Sequence, residues 1–232
     1  SFVYLWTSLS LIKFLNLDPY GIGLEMEAEK PGWNDAMNGV PGLLGSGVSE
    51  TLELYRIVKF LSESLDFGSV EILEEVSDLA DEIDKLLNLD LSDFEYWDKS
   101  ATIKEVYRAK TDITISGKLN YIEAKFLKEL LEKMLIKLDE SINKAIELGN
   151  GILPTYLIYN VTKYEKVLDN GNEVLSHYGL PKVKPLEFKV RPLPYFLESP
   201  ARSYKILDKR WYHRRYRSFN NKIQSKRNWI IR

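Results

Sequence analysis

The sequence contains no cysteine, and this absence excludes several kinds of chemistry. Disulfide frameworks, thiolate nucleophiles and cysteine-ligated zinc or iron–sulfur sites all require that residue. Histidine is scarce as well, with only His177 and His213 in 232 residues, so a histidine-rich metal site or a Ser/His/Asp triad is poorly supplied. Neither histidine belongs to a partner pattern, and we expect both to be structural or surface groups.

The apolar opening segment, residues 1–15, lacks the features of a targeting or membrane segment. It has no initiating Met, no basic region and no small-residue cleavage site before the turn at residues 19–21. It is also shorter than the ~20 residues that cross a bilayer. We expect a buried helix whose upstream part is missing, and a cytoplasmic protein without a membrane partner.

Composition and charge describe an ordinary globular body with an unusual end. The chain is 44% hydrophobic and 28% charged, which is typical of a protein with one sizeable core or two small ones. Residues 209–232 contain nine Lys or Arg and no acidic residue, whereas residues 1–208 contain 23 basic and 34 acidic groups. The body is therefore acidic and the tail is basic.

Glycine and proline are concentrated in residues 18–48, which hold more than half of the glycines and three prolines. This stretch has no helical or strand periodicity, and a loop of such length inside a compact domain is usually functional or disordered. Its Trp, Met and Leu content favours an ordered loop.

Helical patterning follows over residues 49–148. Ser49 and Ser69 are plausible N-caps of two helices, and residues 92–95 form a capping box at the start of a third. A fourth helix is predicted from about Asn120 to Leu148, with the Gly-Asn-Gly run at residues 149–151 as its stop. Beyond it, residues 155–161 predict a short strand, residues 183–195 an extended segment, and residues 195–207 a last helix.

The Gly-rich loop carries a set of side chains suited to a sugar. Carboxylates and amides hydrogen-bond hydroxyl groups, and an indole covers the apolar face of a pyranose ring. Glu25, Glu27 and Glu29 project to one side if the segment is extended, with Glu25 and Glu27 the better site candidates. Asp35 follows Trp33 closely, and a carboxyl beside an indole is a candidate for the raised pKa that a general acid needs.

Two segments carry a resemblance to a known family. The run Trp33-Asn34-Asp35-Ala36-Met37-Asn38 resembles the Trp-Asn-Asp-Gly-Met-Asn element of the cellobiose phosphorylase family of inverting glycoside phosphorylases. Residues 47–51 resemble the Gly-Glu-Ser segment that follows it in that family. The similarity is closest to a cellobiose-phosphorylase-like branch and covers residues 18–54, about one sixth of the chain.

The resemblance implies a fold and a mechanism. The family fold is a mainly all-α (α/α)6 toroid, of which residues 1–208 would supply about half, so the isolated fragment is expected to be inactive and prone to associate. Asp35 would protonate the glycosidic oxygen while inorganic phosphate, a co-substrate, attacks the anomeric carbon from the opposite face. No metal or organic cofactor is required, and a homodimer of the full-length enzyme is compatible with the family.

The expected substrate-binding residues around this acid are Trp33, Asn34, Asn38, Glu25, Glu27 and Glu50. Glu50 is also explained as a first-turn carboxylate that complements a helix dipole. Ala36 replaces a family Gly, and Gly32 stands where characterised members carry a sugar-binding Asp. The donor sugar therefore stays open, as does the choice between a phosphorylase and an inverting hydrolase.

The basic tail supports a rival reading. Arg and aromatic residues alternate in residues 210–217, and such a sequence binds nucleic acid through phosphate contacts and base stacking. A helical RNA-binding module is thus the alternative from another class. We favour an aberrant, frameshifted terminus instead, because dropping one adenine after the Lys209 codon of an A/T-rich gene gives an acidic amphipathic helix. The nucleotide sequence tests this prediction.

Overall fold

Helices and strands are intermixed along the chain in the computed structural model, which describes residues 2–25, 45–65, 68–194 and 196–206. The helices among these residues are α1 Phe2–Phe14, α2 Val48–Ser64, α3 Glu74–Leu87, α4 Asp93–Thr111, α5 Ala124–Leu148 and α6 Glu198–Ser203. The strands are β1 Leu24–Glu25, β2 Gly45–Gly47, β3 Ser69–Leu73, β4 Leu119–Glu123, β5 Tyr156–Lys166, β6 Leu168–Asp169, β7 Asn172–Glu173 and β8 Val183–Pro192. None of the described helices combines the length and apolar character needed to span a membrane.

The prediction of a mainly all-α toroid is wrong. About 51% of the described residues are helical and 24% are strand, including a four-stranded antiparallel sheet, so the fold is mixed α/β. The sheet has the order β1-β2-β5-β8 and joins the Gly-rich region to residues 156–192. Sequence patterning underestimated the strands because the longest of them, β5 and β8, carry many charged side chains on their exposed parts.

The main core lies between the helices. Apolar side chains at helical spacing on α2, α3 and α5 pack with α1 and Tyr96 of α4. The apolar residues that recur at helical spacing on α2 and α5 face this core, and Leu52, Val58, Leu130 and Met134 are fully buried. A second cluster joins the first turns of α2 to the end of α5 and to β5.

Helix boundaries follow the predicted signals in two places and depart from them in two others. Ser92 and Glu95 form the predicted capping box of α4. Helix α5 ends at Leu148 with Gly149 as its C-cap, followed by Asn150 and Gly151 at positive φ. Ser49 is not an N-cap, because α2 already begins at Val48. Ser69 does not start a helix either, since residues 69–73 form β3, which pairs with β4.

Strand β8 is the outer strand of the four-stranded sheet and pairs with β5 from Leu157↔Pro192 to Lys166↔Val183. Its edge position explains how it contains Pro185 and Pro192, which cannot donate a ladder hydrogen bond. The distal part of this ribbon, residues 162–184 with β6 and β7 at its tip, is mostly exposed. We call residues 162–184 the β-arm.

Candidate functional site

The two ends of the Gly-rich segment are joined by backbone pairing. Strand β1 pairs antiparallel with β2, with Leu24 opposite Gly47 and Glu25 opposite Ser46. Strand β2 also pairs with β5, with Ser46 opposite Leu157. The sheet therefore holds Glu25 and Ser46, which lie on either side of residues 26–44 in the sequence, next to each other.

Asp18 builds the turn that precedes β1. Its carboxylate accepts hydrogen bonds from the backbone N–H groups of Tyr20, Ile22 and Gly23 at 3.0, 3.0 and 2.8 Å. The Ser46 hydroxyl on β2 donates to the same carboxylate at 2.6 Å. Burial raises the pKa of Asp18, and these donors oppose that shift by favouring the charged form. This residue ties the turn to the returning strand.

Close packing between the two strands accounts for glycine at this point. A Cβ placed on Gly23 would lie 2.6 Å from the Ser46 hydroxyl oxygen, closer than non-bonded atoms approach. The small residue thus lets Ser46 reach Asp18.

Glu25 lies at the end of β1 with both carboxylate oxygens in contact with the protein. The Trp97 indole Nε1–H of α4 donates to Oε1 at 2.7 Å, and the Tyr159 hydroxyl of β5 donates to the same oxygen at 3.3 Å. The Lys104 ammonium of α4 lies 3.6 Å from Oε2, and it also donates to Asn16 at 3.1 Å. The side chains of Glu25 and Lys104 are only 8% and 15% exposed, so this is a largely buried ion pair.

Desolvation dominates the electrostatics of this carboxyl group. Burial raises the pKa of Glu25, while the Lys104 ammonium and the Trp97 indole oppose the rise and Asp18 adds to it. The pKa of the Tyr159 hydroxyl is raised as well, by burial and by the neighbouring Glu25. The pKa of the Glu25 carboxyl is thus above its ordinary value. Glu25 is the last described residue before residues 26–44.

Aromatic rings surround this carboxyl group. Phe188 of β8 packs edge-on against Trp97 and Tyr159, each with ring centroids 5.5 Å apart, and Phe94 lies 5.5 Å from Trp97. Edge-to-face packing at these distances orients the rings that donate to Glu25. The helix α4 and the strands β5 and β8 therefore hold the Trp97 and Tyr159 donors in place.

Glu50 lies at the other end of the segment, in the first turn of α2, as the sequence predicts. The residue as a whole is exposed, but nearby protein atoms desolvate its carboxyl group. This desolvation raises the pKa of the Glu50 carboxyl, and repulsion from the Glu198 carboxylate raises it further. Arg202 and Lys13 act in the opposite direction. Along the chain, Glu25 therefore precedes residues 26–44 and Glu50 follows them.

The other predicted site residues fall outside the described part of the chain. These are Glu27, Trp33, Asn34, Asp35 and Asn38, together with the basic tail at residues 209–232. Within the described ranges, no group of three or more His, Asp or Glu side chains is arranged to hold a metal ion.

Sequence reasoning missed four residues that form the framework of this region, namely Asp18, Trp97, Lys104 and Tyr159. The Asp-Pro-Tyr-Gly sequence at residues 18–21 is a turn signal that points to Asp18. Trp97, Lys104 and Tyr159 carry no comparable signal, because they reach Glu25 only through long-range packing.

Comparison with known proteins adds no assignment. No protein-family model matches the chain, and a search of curated proteins found no significant match.

Proposed function

We propose that this chain belongs to a carbohydrate-active enzyme that cleaves a β-linked disaccharide or oligosaccharide with inversion. Asp35 donates the proton to the glycosidic oxygen, and inorganic phosphate attacks the anomeric carbon to give a sugar 1-phosphate. The observation that carries the proposal is the run from Trp33 to Asn38, set in a segment whose two ends are held side by side by β1 and β2.

The described residues support the proposal through their chemistry. A proton donor needs a site with limited water and fixed dipoles, since desolvation keeps a carboxyl group protonated near neutral pH. Glu25, at the start of the segment, already lies among aromatic rings and has a raised pKa. Its own oxygens are engaged by Trp97, Tyr159 and Lys104, so we assign it first to holding β1 and second to contacting the sugar.

Binding of a sugar is the first test, because it requires no turnover. Saturation-transfer NMR with cellobiose and the full chain is expected to show transfer to the sugar protons, which is lost in Trp33→Ala. Trp211→Ala is the matched control, because Trp211 lies in the basic tail, and it is expected to bind as the unaltered chain does. Absence of transfer from the unaltered chain contradicts cellobiose as the substrate, and equal loss in both variants contradicts a sugar site at Trp33.

Turnover separates the two reaction types. Incubation of the disaccharide and phosphate with the full-length enzyme to which this chain belongs is expected to release a sugar 1-phosphate, and Asp35→Asn is expected to lower the rate by about 10²-fold or more. Asp98→Asn, an exposed carboxylate on α4, serves as the control for charge removal. Release of free sugar in the absence of phosphate indicates the inverting hydrolase instead.

A further inference from the structure

Asn-Gly pairs are the places in a protein where asparagine converts most readily to aspartate. The backbone nitrogen of the following residue attacks the side-chain carbonyl carbon, and glycine hinders this approach least because it has no side chain. The chain contains the pair at residues 38–39, 150–151 and 170–171. The first lies outside the described residues, and the other two can be compared with each other.

The two described pairs share a similar backbone conformation. Asn150 and Asn170 have φ of 53° and 49°, and the glycines that follow them have φ of 88° and 82°. Closure of a ring brings the glycine nitrogen within bonding distance of the asparagine side-chain carbonyl carbon, so the backbone of the pair has to rotate. The rate at each pair therefore depends on how much surrounding structure has to open first.

Asn170 and Gly171 form the tip of the β-arm, where little structure has to open. They connect β6 to β7, which have only 2 residues each and are exposed throughout. A Cβ placed on Gly171 would meet no atom within 4 Å. The Asn170 side-chain amide donates to the Asp169 carboxylate at 3.2 Å, and water can replace this bond at small cost because both residues are exposed.

Asn150, in contrast, is held by the packed end of α5. The Gly151 N–H, whose nitrogen would have to attack, donates to the Ile146 carbonyl at 2.7 Å, and Gly151 is buried. The Asn150 N–H donates to the Glu147 carbonyl at 3.0 Å. Leu153, just beyond Gly151, is buried in the second core cluster. Reaction at Asn150 therefore requires the end of α5 to separate from the core.

We propose that Asn170 is a site of spontaneous covalent modification in the folded chain, whereas Asn150 is protected. The Gly171 nitrogen forms a bond to the side-chain carbonyl carbon of Asn170. The bond from that carbon to the side-chain amide nitrogen breaks, and ammonia leaves with the proton that the Gly171 nitrogen gives up. Water then opens the resulting succinimide at either carbonyl, which leaves aspartate or isoaspartate. Each product places a second carboxylate beside Asp169.

Storage of the full chain in neutral buffer, followed by tryptic peptide mapping with mass spectrometry, tests the proposal. Trypsin cleaves after lysine and places Asn150 and Asn170 on separate peptides, residues 145–163 and 167–182. We expect conversion at Asn170 to be at least about tenfold faster than at Asn150, with isoaspartate among its products. Equal rates, or a faster reaction at Asn150, overturn the proposal. Formation of aspartate alone contradicts the succinimide route.

The same measurement in concentrated urea separates the effect of the fold from that of the local sequence. Once the chain is unfolded, the two pairs are equally free to react, and we expect their rates to agree within about twofold. A preference for Asn170 that persists in urea assigns the difference to the neighbouring residues and contradicts protection of Asn150 by α5.

Gly149→Ala tests the protection directly. A Cβ on residue 149 would lie 1.7 Å from the Ile152 backbone oxygen and so disturbs the end of α5. We expect at least about threefold faster conversion at Asn150, with the rate at Asn170 unchanged within about twofold. Circular dichroism shows whether the variant folds, and an unchanged rate at Asn150 in the folded variant contradicts the role of the helix end. The comparison in urea requires no variant, so it decides the proposal even if Gly149→Ala does not fold.

Discussion

Glu25 combines burial with three polar partners, and the balance between them determines how the protein responds to pH. The unfolded chain ionises this carboxyl near the ordinary value of 4.5, whereas desolvation raises the folded-state value. Between these two values the folded state binds the additional proton, so the contribution of Glu25 to the free energy of unfolding falls as pH rises above about 4.5. The full contribution is present below 4.5.

Glu25→Gln makes this dependence measurable, because the amide keeps the shape and does not titrate. We expect the free energy of unfolding of the unaltered chain, minus that of Glu25→Gln, to decrease as pH rises above 4.5. Urea denaturation at several pH values from about 4 to 8 provides the measurement. Glu132→Gln, at an exposed residue of α5, is the control for loss of one carboxylate. A difference that grows with pH indicates that Lys104, rather than burial, dominates the pKa of Glu25.

The sequence predicts some residues of the site and misses others. Glu25 is predicted as a site residue because acids, amides and an aromatic residue occur together on a Gly-rich stretch. The local sequence is sufficient for this prediction. Its partners Trp97 and Tyr159 come from elements distant in sequence, on α4 and β5. No local pattern encodes which indole or phenol reaches a given carboxylate, so these contacts became visible only with the fold.

At the scale of the element, the start of α4 shows how a short sequence signal fixes a boundary. Ser92 accepts from the Glu95 backbone N–H, and the Glu95 carboxylate accepts from the Ser92 backbone N–H at 2.9 Å. Ser92→Ala removes one half of this box and is expected to lower the free energy of unfolding by about 1 kcal/mol. Ser69→Ala, at the exposed start of β3, is the control and should change it by less than about 0.5 kcal/mol. Thermal or urea unfolding measures the loss of stability in both variants. Equal losses in Ser92→Ala and Ser69→Ala contradict a capping role for Ser92.

The end of α5 depends on glycine for a steric reason. A Cβ on Gly149 would lie 1.7 Å from the backbone oxygen of Ile152, and backbone cannot yield as a flexible side chain does. Gly149→Ala is therefore expected to cost about 3 kcal/mol. Gly117→Ala, where nothing lies within 4 Å but φ is 72°, is expected to cost only about 1 kcal/mol from the left-handed backbone. Urea denaturation ranks the two, and the opposite order refutes the steric account.

Helices were predicted better than strands because their signal is local. The apolar stripe of α5 recurs every three or four residues and buries Leu130, Met134 and Leu138, as expected. Strand β4 was read as the first turn of that helix, since Ile122 falls on the same stripe. What makes residues 119–123 a strand is pairing with β3, which is about 50 residues distant along the chain. Such pairing is a property of the fold rather than of the segment.

For the whole molecule, the β-arm contributes little to the cores. Tyr164, Leu168, Leu175 and Leu180 of the arm are each more than half exposed, while Tyr159 and Phe188 nearer the body are buried. Replacing residues 167–182 with a two-residue Asn-Gly turn is expected to change the free energy of unfolding by less than about 1 kcal/mol. Urea unfolding followed by near-ultraviolet circular dichroism measures this free energy. Phe188→Ala, which removes a buried ring and should cost about 3 kcal/mol, is the variant for comparison. A comparable loss in the shortened arm shows that the arm supports the core.

The joined ends of residues 26–44 have a consequence for how such a protein diversifies. Pairing of Glu25 with Ser46 keeps the two anchor points adjacent whatever the connecting sequence is, and even doubling the length of a closed loop costs only about 0.6 kcal/mol in chain entropy. Chain entropy therefore opposes a change of length between these anchors only weakly. The pairing of β1 with β2 can be kept while the number of connecting residues changes.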